Sequence, residues 1–140
     1  MLYEASQAGV KVDLLVRSMC SLKPGFKGVS ENINVVSIVG RYLEHSRVYY
    51  FHNGGKEEIY MGSADLMSRI DHRVEVLFPI ESTEHIRYLR DKMLETYLKD
   101  NTRARVMQED GTYVRLKSPG ADKAVDVQEF FMNHYRGRKA

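Results

Sequence analysis

Between Ser37 and Gly55 the chain sets one histidine, His45, after an apolar run and before an alternating one, and crowds it with Arg41, Glu44, Arg47 and His52. A neutral imidazole backed by a cation can take or give a proton near neutral pH, or accept a phosphoryl group itself. On spacing alone, the commoner outcome is a histidine that makes one structural hydrogen bond. Arginine supplies the second signal. Arg17, Arg41, Arg47, Arg69 and Arg73 all fall at expected strand ends or in loops. Guanidinium groups bind phosphate oxygens bidentately and keep their charge. Taken singly, each reads as solvated surface charge paired with Glu44, Asp65 or Asp71. The third signal is Gly62-Ser63-Ala64-Asp65, a small-residue turn whose N–H groups and hydroxyl could face an anion. Together the three point towards a phosphate site.

Several chemistries are excluded. Gly-x-x-x-x-Gly-Lys-Ser/Thr is absent, which removes a P-loop, and the absence of Gly-x-Gly-x-x-Gly disfavours a dinucleotide fold. The histidines do not match a His-Glu-x-x-His zinc helix. The single cysteine, Cys20, rules out an internal disulfide framework and any multi-cysteine zinc site. It fits a reducing compartment and reads as a small buried hydrophobe. A net charge of +2 removes an extreme polycation but leaves room for a local basic site. No run of roughly 18 apolar residues is present, so no membrane-spanning helix is expected, and no signal peptide opens the chain.

The positioning elements follow from pattern. With 140 residues, 43% hydrophobic and 29% charged, the chain suits one domain with a real core. Leu2 to Ala8 is helix-like and Gly9 stops it. Val10 to Val16 begins alternating and ends apolar, as for a strand covered on both faces, with Arg17 at its end. In open α/β sheets, ligands bind at that end of the strands. Lys23 to Asn32 is loop. Ile33 to Ile38 and Arg47 to Phe51 read as strands, and Val39 to Glu44 fits either a helical turn or an extended approach. Asn53-Gly54-Gly55-Lys56 turns the chain into a returning strand, Glu57 to Met61. Ser63 to Arg73 is irregular, and Val74 to Pro79 is a further strand. Ser82 caps a helix with Ile86, Leu89, Met93, Leu94 and Tyr97 on one face and Arg87, Arg90, Asp91 and Glu95 on the other. Asp110-Gly111 joins Arg103–Met107 to Thr112–Leu116 as a second hairpin. Ser118-Pro119-Gly120 is a linker, and Val125 to Tyr135 is a final helix turning Val127, Phe130, Phe131 and His134 to the core. Arg136-Gly137-Arg138-Lys139 is a basic tail. Met1 to Ser6 looks like the middle of a helix that began earlier, so the chain is expected to be a piece of a longer protein.

These strings, in order, resemble a known family. Gly9-Val-Lys-Val-Asp-Leu-Leu-Val-Arg17, Leu22-Lys-Pro-Gly, Ser30-Glu-Asn-Ile, Ser37-Ile-Val-Gly-Arg-Tyr-Leu-Glu-His-Ser-Arg47, Tyr49-Tyr-Phe-His-Asn-Gly-Gly, Gly62-Ser-Ala-Asp65 and Arg73-Val-Glu-Val are similar to the C-terminal, second phospholipase D-like domain of bacterial polyphosphate kinase. The resemblance implies an α/β fold, a phospholipase D-like sandwich with a mixed central sheet flanked by helices, over a single domain 1–140. It implies reversible transfer of the terminal phosphate of ATP to inorganic polyphosphate through a phosphohistidine. That nucleophile lies in the preceding domain, so this chain alone is expected to be inactive. By the same resemblance Arg17 is a nucleotide-phosphate contact, and His45 faces the phosphohistidine as general acid/base or as a hydrogen-bond partner of the phosphate during transfer. Arg47, Ser63 and Arg73 complete the ATP and phosphate contacts, with no metal ligand in the chain. Magnesium serves the intact enzyme. Its partners are the preceding domains, polyphosphate, ATP, ADP and further copies of itself, and no nucleic acid. The location is cytoplasmic, either free or peripheral to the inner membrane.

Two departures stand out. Phospholipase D uses His-x-Lys with a downstream Asp, and an Asn in Gly-Ser-x-Asn. Here Arg47 replaces the lysine, His52 falls where the Asp would be and Asp65 replaces the Asn. This argues against lipase or nuclease chemistry, and so against the alternative of a stand-alone, homodimeric phosphodiester hydrolase. A non-catalytic phosphate-binding module is the third reading. The segment Leu66 to Arg73 is one residue shorter than the family pattern, which leaves Arg69 without a role.

Overall fold

The computed structural model describes residues 1–66, 72–116, 120 and 123–137. Arg69, most of Ser118-Pro119-Gly120 and the end of the basic tail lie outside them. Contacts divide the chain into two compact units, one of Met1–Glu44 with Tyr97–Ala140, the other of His45–Thr96.

The first unit is built on a mixed sheet in the order β1 (Val12–Leu15), β2 (Ile33–Ile38), β6 (Ala104–Met107), β7 (Tyr113–Arg115). β1 and β2 run parallel, and the other pairs are antiparallel. This is the α/β class expected. Helix α1 (Leu2–Gln7) precedes β1, and Gly9 with φ 83° redirects the chain between them. The sequence placed the doubly covered strand at Val10–Val16. It is β2 that is covered on both faces, while β1 is half-buried and pairs only with β2 among the described strands. Successive β2 side chains point to opposite faces. Val36 and Ile38 pack with Ala104 and Val127, against Tyr97, Val106 and Phe131. Ile33 and Val35 pack with Met107, against Leu2, Tyr3, Val12, Leu14 and Cys20. The apolar end of the β1 run reflects its packing on this second cluster, not burial on both sides.

Helix α4 (Val127–Arg136) closes the first face. Asp126 caps it by accepting from the N–H of Gln128 and Glu129. Asp100, 1% exposed, ties that helix start to β6. Its carboxylate accepts from the N–H of Thr102, Arg103 and Ala104 at 3.1, 2.7 and 3.0 Å, and from Val127 N–H at 2.9 Å. Four backbone donors meet the requirement that a buried charge be hydrogen-bonded.

The second unit carries a separate antiparallel sheet, β3 (Val48–Phe51), β4 (Glu58–Gly62) and β5 (Leu77–Pro79). The β3–β4 turn runs through Asn53, Gly54 and Gly55, all at positive φ, as the Asn-Gly-Gly signal required. β5 is shorter than the Val74–Pro79 expectation, and its three residues are exposed. Ser82 caps α2 (Thr83–Arg87), accepting from His85 N–H. The expected single helix is interrupted by a π-helical stretch, Tyr88–Leu94, before α3 (Glu95–Lys99). Apolar spacing cannot separate i→i+4 from i→i+5 hydrogen bonding over two turns, so the widening was invisible in the sequence. Among the described residues, Ile59 and Leu89 are the buried apolar ones of this unit.

Candidate functional site

Of the five residues selected from the sequence, His45, Arg47, Ser63 and Arg73 fall in the second unit and Arg17 in the first. Arg17 is exposed two residues past the end of β1. Arg73 is exposed in the approach to β5, and His45 is exposed three residues before β3.

His45, Arg47 and Asp65 come together. Arg47 Nε and Nη2 donate to Asp65 Oδ1 and Oδ2 at 2.8 and 3.1 Å. This is a side-on bidentate pair, with the arginine side chain 18% exposed. Arg47 Nη1 donates to the His45 carbonyl at 3.1 Å and lies 3.3 Å from both imidazole nitrogens. The hydrogen bond to Asp65 holds the Arg47 guanidinium protonated, above its ordinary range and against the opposing effect of burial. Tyr49, in β3 two positions after Arg47, donates its hydroxyl to the Ala64 carbonyl at 2.6 Å. Arg47, just before β3, and Tyr49 within it thus grip adjacent residues of one loop. Burial pushes the Tyr49 phenol up, and it stays neutral.

The hairpin explains the meeting. Counting outward from the Asn53–Gly55 turn pairs Val48 with Met61, and Gly62 N–H reaches the Arg47 carbonyl at 3.4 Å. Residue 65 follows three positions later on the emerging loop. Gly62 has no room for a side chain, because a Cβ there would lie 2.0 Å from the Val76 carbonyl oxygen. Ser63 is bound into the same edge. Its N–H donates to Val76 O at 2.9 Å, its hydroxyl donates to Glu75 Oε2 at 2.5 Å, and its Oγ accepts from Val76 N–H at 3.0 Å. An anion at Ser63 must therefore compete for these donors.

Glu44, read as part of the charge around His45, is held within the first unit. Its Oε2 accepts from Tyr97 Oη at 2.5 Å and its Oε1 from Gln128 Nε2 at 2.7 Å. Gln128 also brackets Tyr42, accepting from its N–H at 3.0 Å and donating to its carbonyl at 2.8 Å. Burial, then the bond to Glu44, pushes the Tyr97 phenol far above its usual range. The residues around this network line a cleft of about 310 Å³ with Phe131, Met132 and Tyr135. Gln128 carries no local signal, because its partners lie 84 and 86 positions away.

Among the described residues, no three His, Cys, Asp or Glu side chains gather to hold a metal ion. None of their helices is long and apolar enough to cross a membrane.

Fold and site together define an α/β protein with a histidine braced by an arginine–aspartate pair at the foot of a β-hairpin. Residues 1–128 match the family model described as polyphosphate kinase C-terminal domain 2, and the chain belongs to that family. It is 58% identical over 128 residues to a polyphosphate kinase of Pseudomonas aeruginosa, covering 91% of this chain and 18% of that protein. It is 49% identical over 138 residues to one from Exiguobacterium, covering 98% and 19%. The crystal structure of polyphosphate kinase from Porphyromonas gingivalis superposes with a TM-score of 0.88 at 38% identity, over 97% of this chain and 21% of that one. The chain thus spans about a fifth of the length of these relatives.

Proposed function

We infer that this chain contributes one side of the active site of a polyphosphate kinase, which moves the terminal phosphate of ATP reversibly onto inorganic polyphosphate. The match of residues 1–128 to a polyphosphate kinase domain carries the reading. The nucleophilic histidine is supplied by the preceding part of the enzyme. His45 donates to or relays a proton with the phosphate in flight. Its exposure and its contact with Arg47, whose other edge is held by Asp65, support that role. Arg17 and Arg73, both exposed, neutralise phosphate oxygens, and Ser63 offers its hydroxyl where the phosphate displaces Glu75. Phosphoryl transfer asks a protein for positioning and charge neutralisation more than for covalent chemistry, which suits this set.

When bound, magnesium supplies further charge neutralisation at the phosphates. The described residues offer it no ligand cluster, and no step is assigned to it in this chain. ATP, ADP, polyphosphate, the preceding domains and further copies of the enzyme are the partners, in the cytoplasm or at the inner membrane surface.

Calorimetry of polyphosphate and ATP with the chain tests this reading, wild type beside Arg17→Ala and His45→Ala, at two salt concentrations. Binding that weakens in both variants, and falls with salt as polyanion contacts do, is the expected result. Binding unchanged by either substitution contradicts it.

A further inference from the structure

Arg47 was selected as a phosphate contact, but its donors already have partners. Of the five N–H groups of a guanidinium, those on Nε and Nη2 that form the Asp65 fork are engaged at 2.8 and 3.1 Å. Nη1 donates to the His45 carbonyl at 3.1 Å and faces the imidazole, 3.3 Å from each ring nitrogen. That leaves one N–H on Nη2. A phosphate that took the remaining edge bidentately would have to draw Nη1 away from His45. Arg47 is also charge-balanced by Asp65, so it adds little net attraction for an anion.

The same contacts fix His45. The residue lies outside any strand, three positions before β3, and is exposed. Nothing in regular secondary structure holds its backbone, whereas Arg47 Nη1 holds the carbonyl and meets the ring from one side. Asp65 sets where Nη1 sits by clamping the opposite edge of the same rigid plane. Tyr49 in turn anchors the Asp65 loop through the Ala64 carbonyl at 2.6 Å.

We propose that Arg47 and Asp65 act as a positioning pair for His45, with Asp65 orienting the imidazole through the guanidinium and neither residue binding phosphate. This rests on the reading of His45 as the working histidine. Lysine cannot replace Arg47 in this role, because one ammonium cannot span both Asp65 and His45 in a fixed plane.

Nitrogen NMR of the uniformly nitrogen-labelled chain tests the proposal, together with titration by inorganic triphosphate. The His45 imidazole signals are expected to shift or broaden in Asp65→Asn and in Arg47→Lys, with the amides of Tyr50 and Ile59 unmoved. Arg47→Lys is expected to keep triphosphate affinity within about twofold of wild type. Unmoved His45 signals in both variants overturn the proposal. So does a loss of about tenfold or more in Arg47→Lys, the scale of one charge-assisted hydrogen bond, which makes Arg47 a phosphate ligand. Failure of the functional reading looks different: triphosphate then fails to bind wild type, and the imidazole signals still decide the role of Asp65.

Discussion

The two units of this chain are held by different physics. In the first, β2 buries both faces, Val35 and Ala104 are 0% exposed, and Asp100 is sealed beneath four backbone amides. In the second, the sheet ends in an exposed β5, and polar contacts link much of the rest: Arg47 to Asp65, Tyr50 to Glu57, Arg90 to Glu57. The selected residues divide accordingly, with four of five in the second unit. A packed core penalises buried charge that is not hydrogen-bonded, and a site that handles phosphate needs several charges near water. The second unit gives up core for chemistry, and the first unit has a core on each face of β2.

Substitutions can break or sharpen this contrast. Asp100→Ala should have the largest effect, because it leaves four buried N–H groups without an acceptor. The expected loss is about 4 kcal/mol, with amide exchange rising at Val35 and Val36 more than at Tyr49 and Tyr60. Ile59→Ala should cost about 3 kcal/mol by cavity formation, with the reverse exchange pattern. Equal acceleration everywhere in both variants would mean one cooperative body and would end the comparison.

The smallest expected effect is a pH dependence in the second unit. The hydrogen bond from Tyr50, then that from Arg90, holds the Glu57 carboxyl below its ordinary value of about 4.5. Its folded pKa is depressed, so its stabilisation is full above that value and is lost as pH falls through the folded pKa. Glu57→Gln should flatten this acid slope in thermal melts while leaving the rest of the profile in place. An unchanged slope would move the acid sensitivity elsewhere.

Much of the scaffold was legible. β2 is a run of Ile and Val, the Asp110-Gly111 and Asn53-Gly54-Gly55 turns announce their hairpins, and Ser82 announces its helix, because each is a local signal. What stayed hidden depends on long-range register. The split into two sheets follows from strand pairings, and Asp100 draws Val127 from 27 residues away. Around the site, the sequence named His45 and Arg47 and raised Asp65 as a pairing partner for an arginine. It could not show that the pair leaves one Arg47 N–H over, nor that the Ser63 hydroxyl lies on Glu75. Hairpin counting brings residues 47 and 62 together, but side-chain forks are settled only in three dimensions.

The central claim is that this chain supplies phosphate contacts and a proton-handling histidine for phosphoryl transfer, and not the nucleophile. Incubation of the purified chain with γ-labelled ATP, magnesium and polyphosphate, followed by assay for acid-labile phosphate on histidine, tests it most directly. The account predicts no labelled histidine on this chain and no turnover. Label on His45, abolished by His45→Ala, would contradict it.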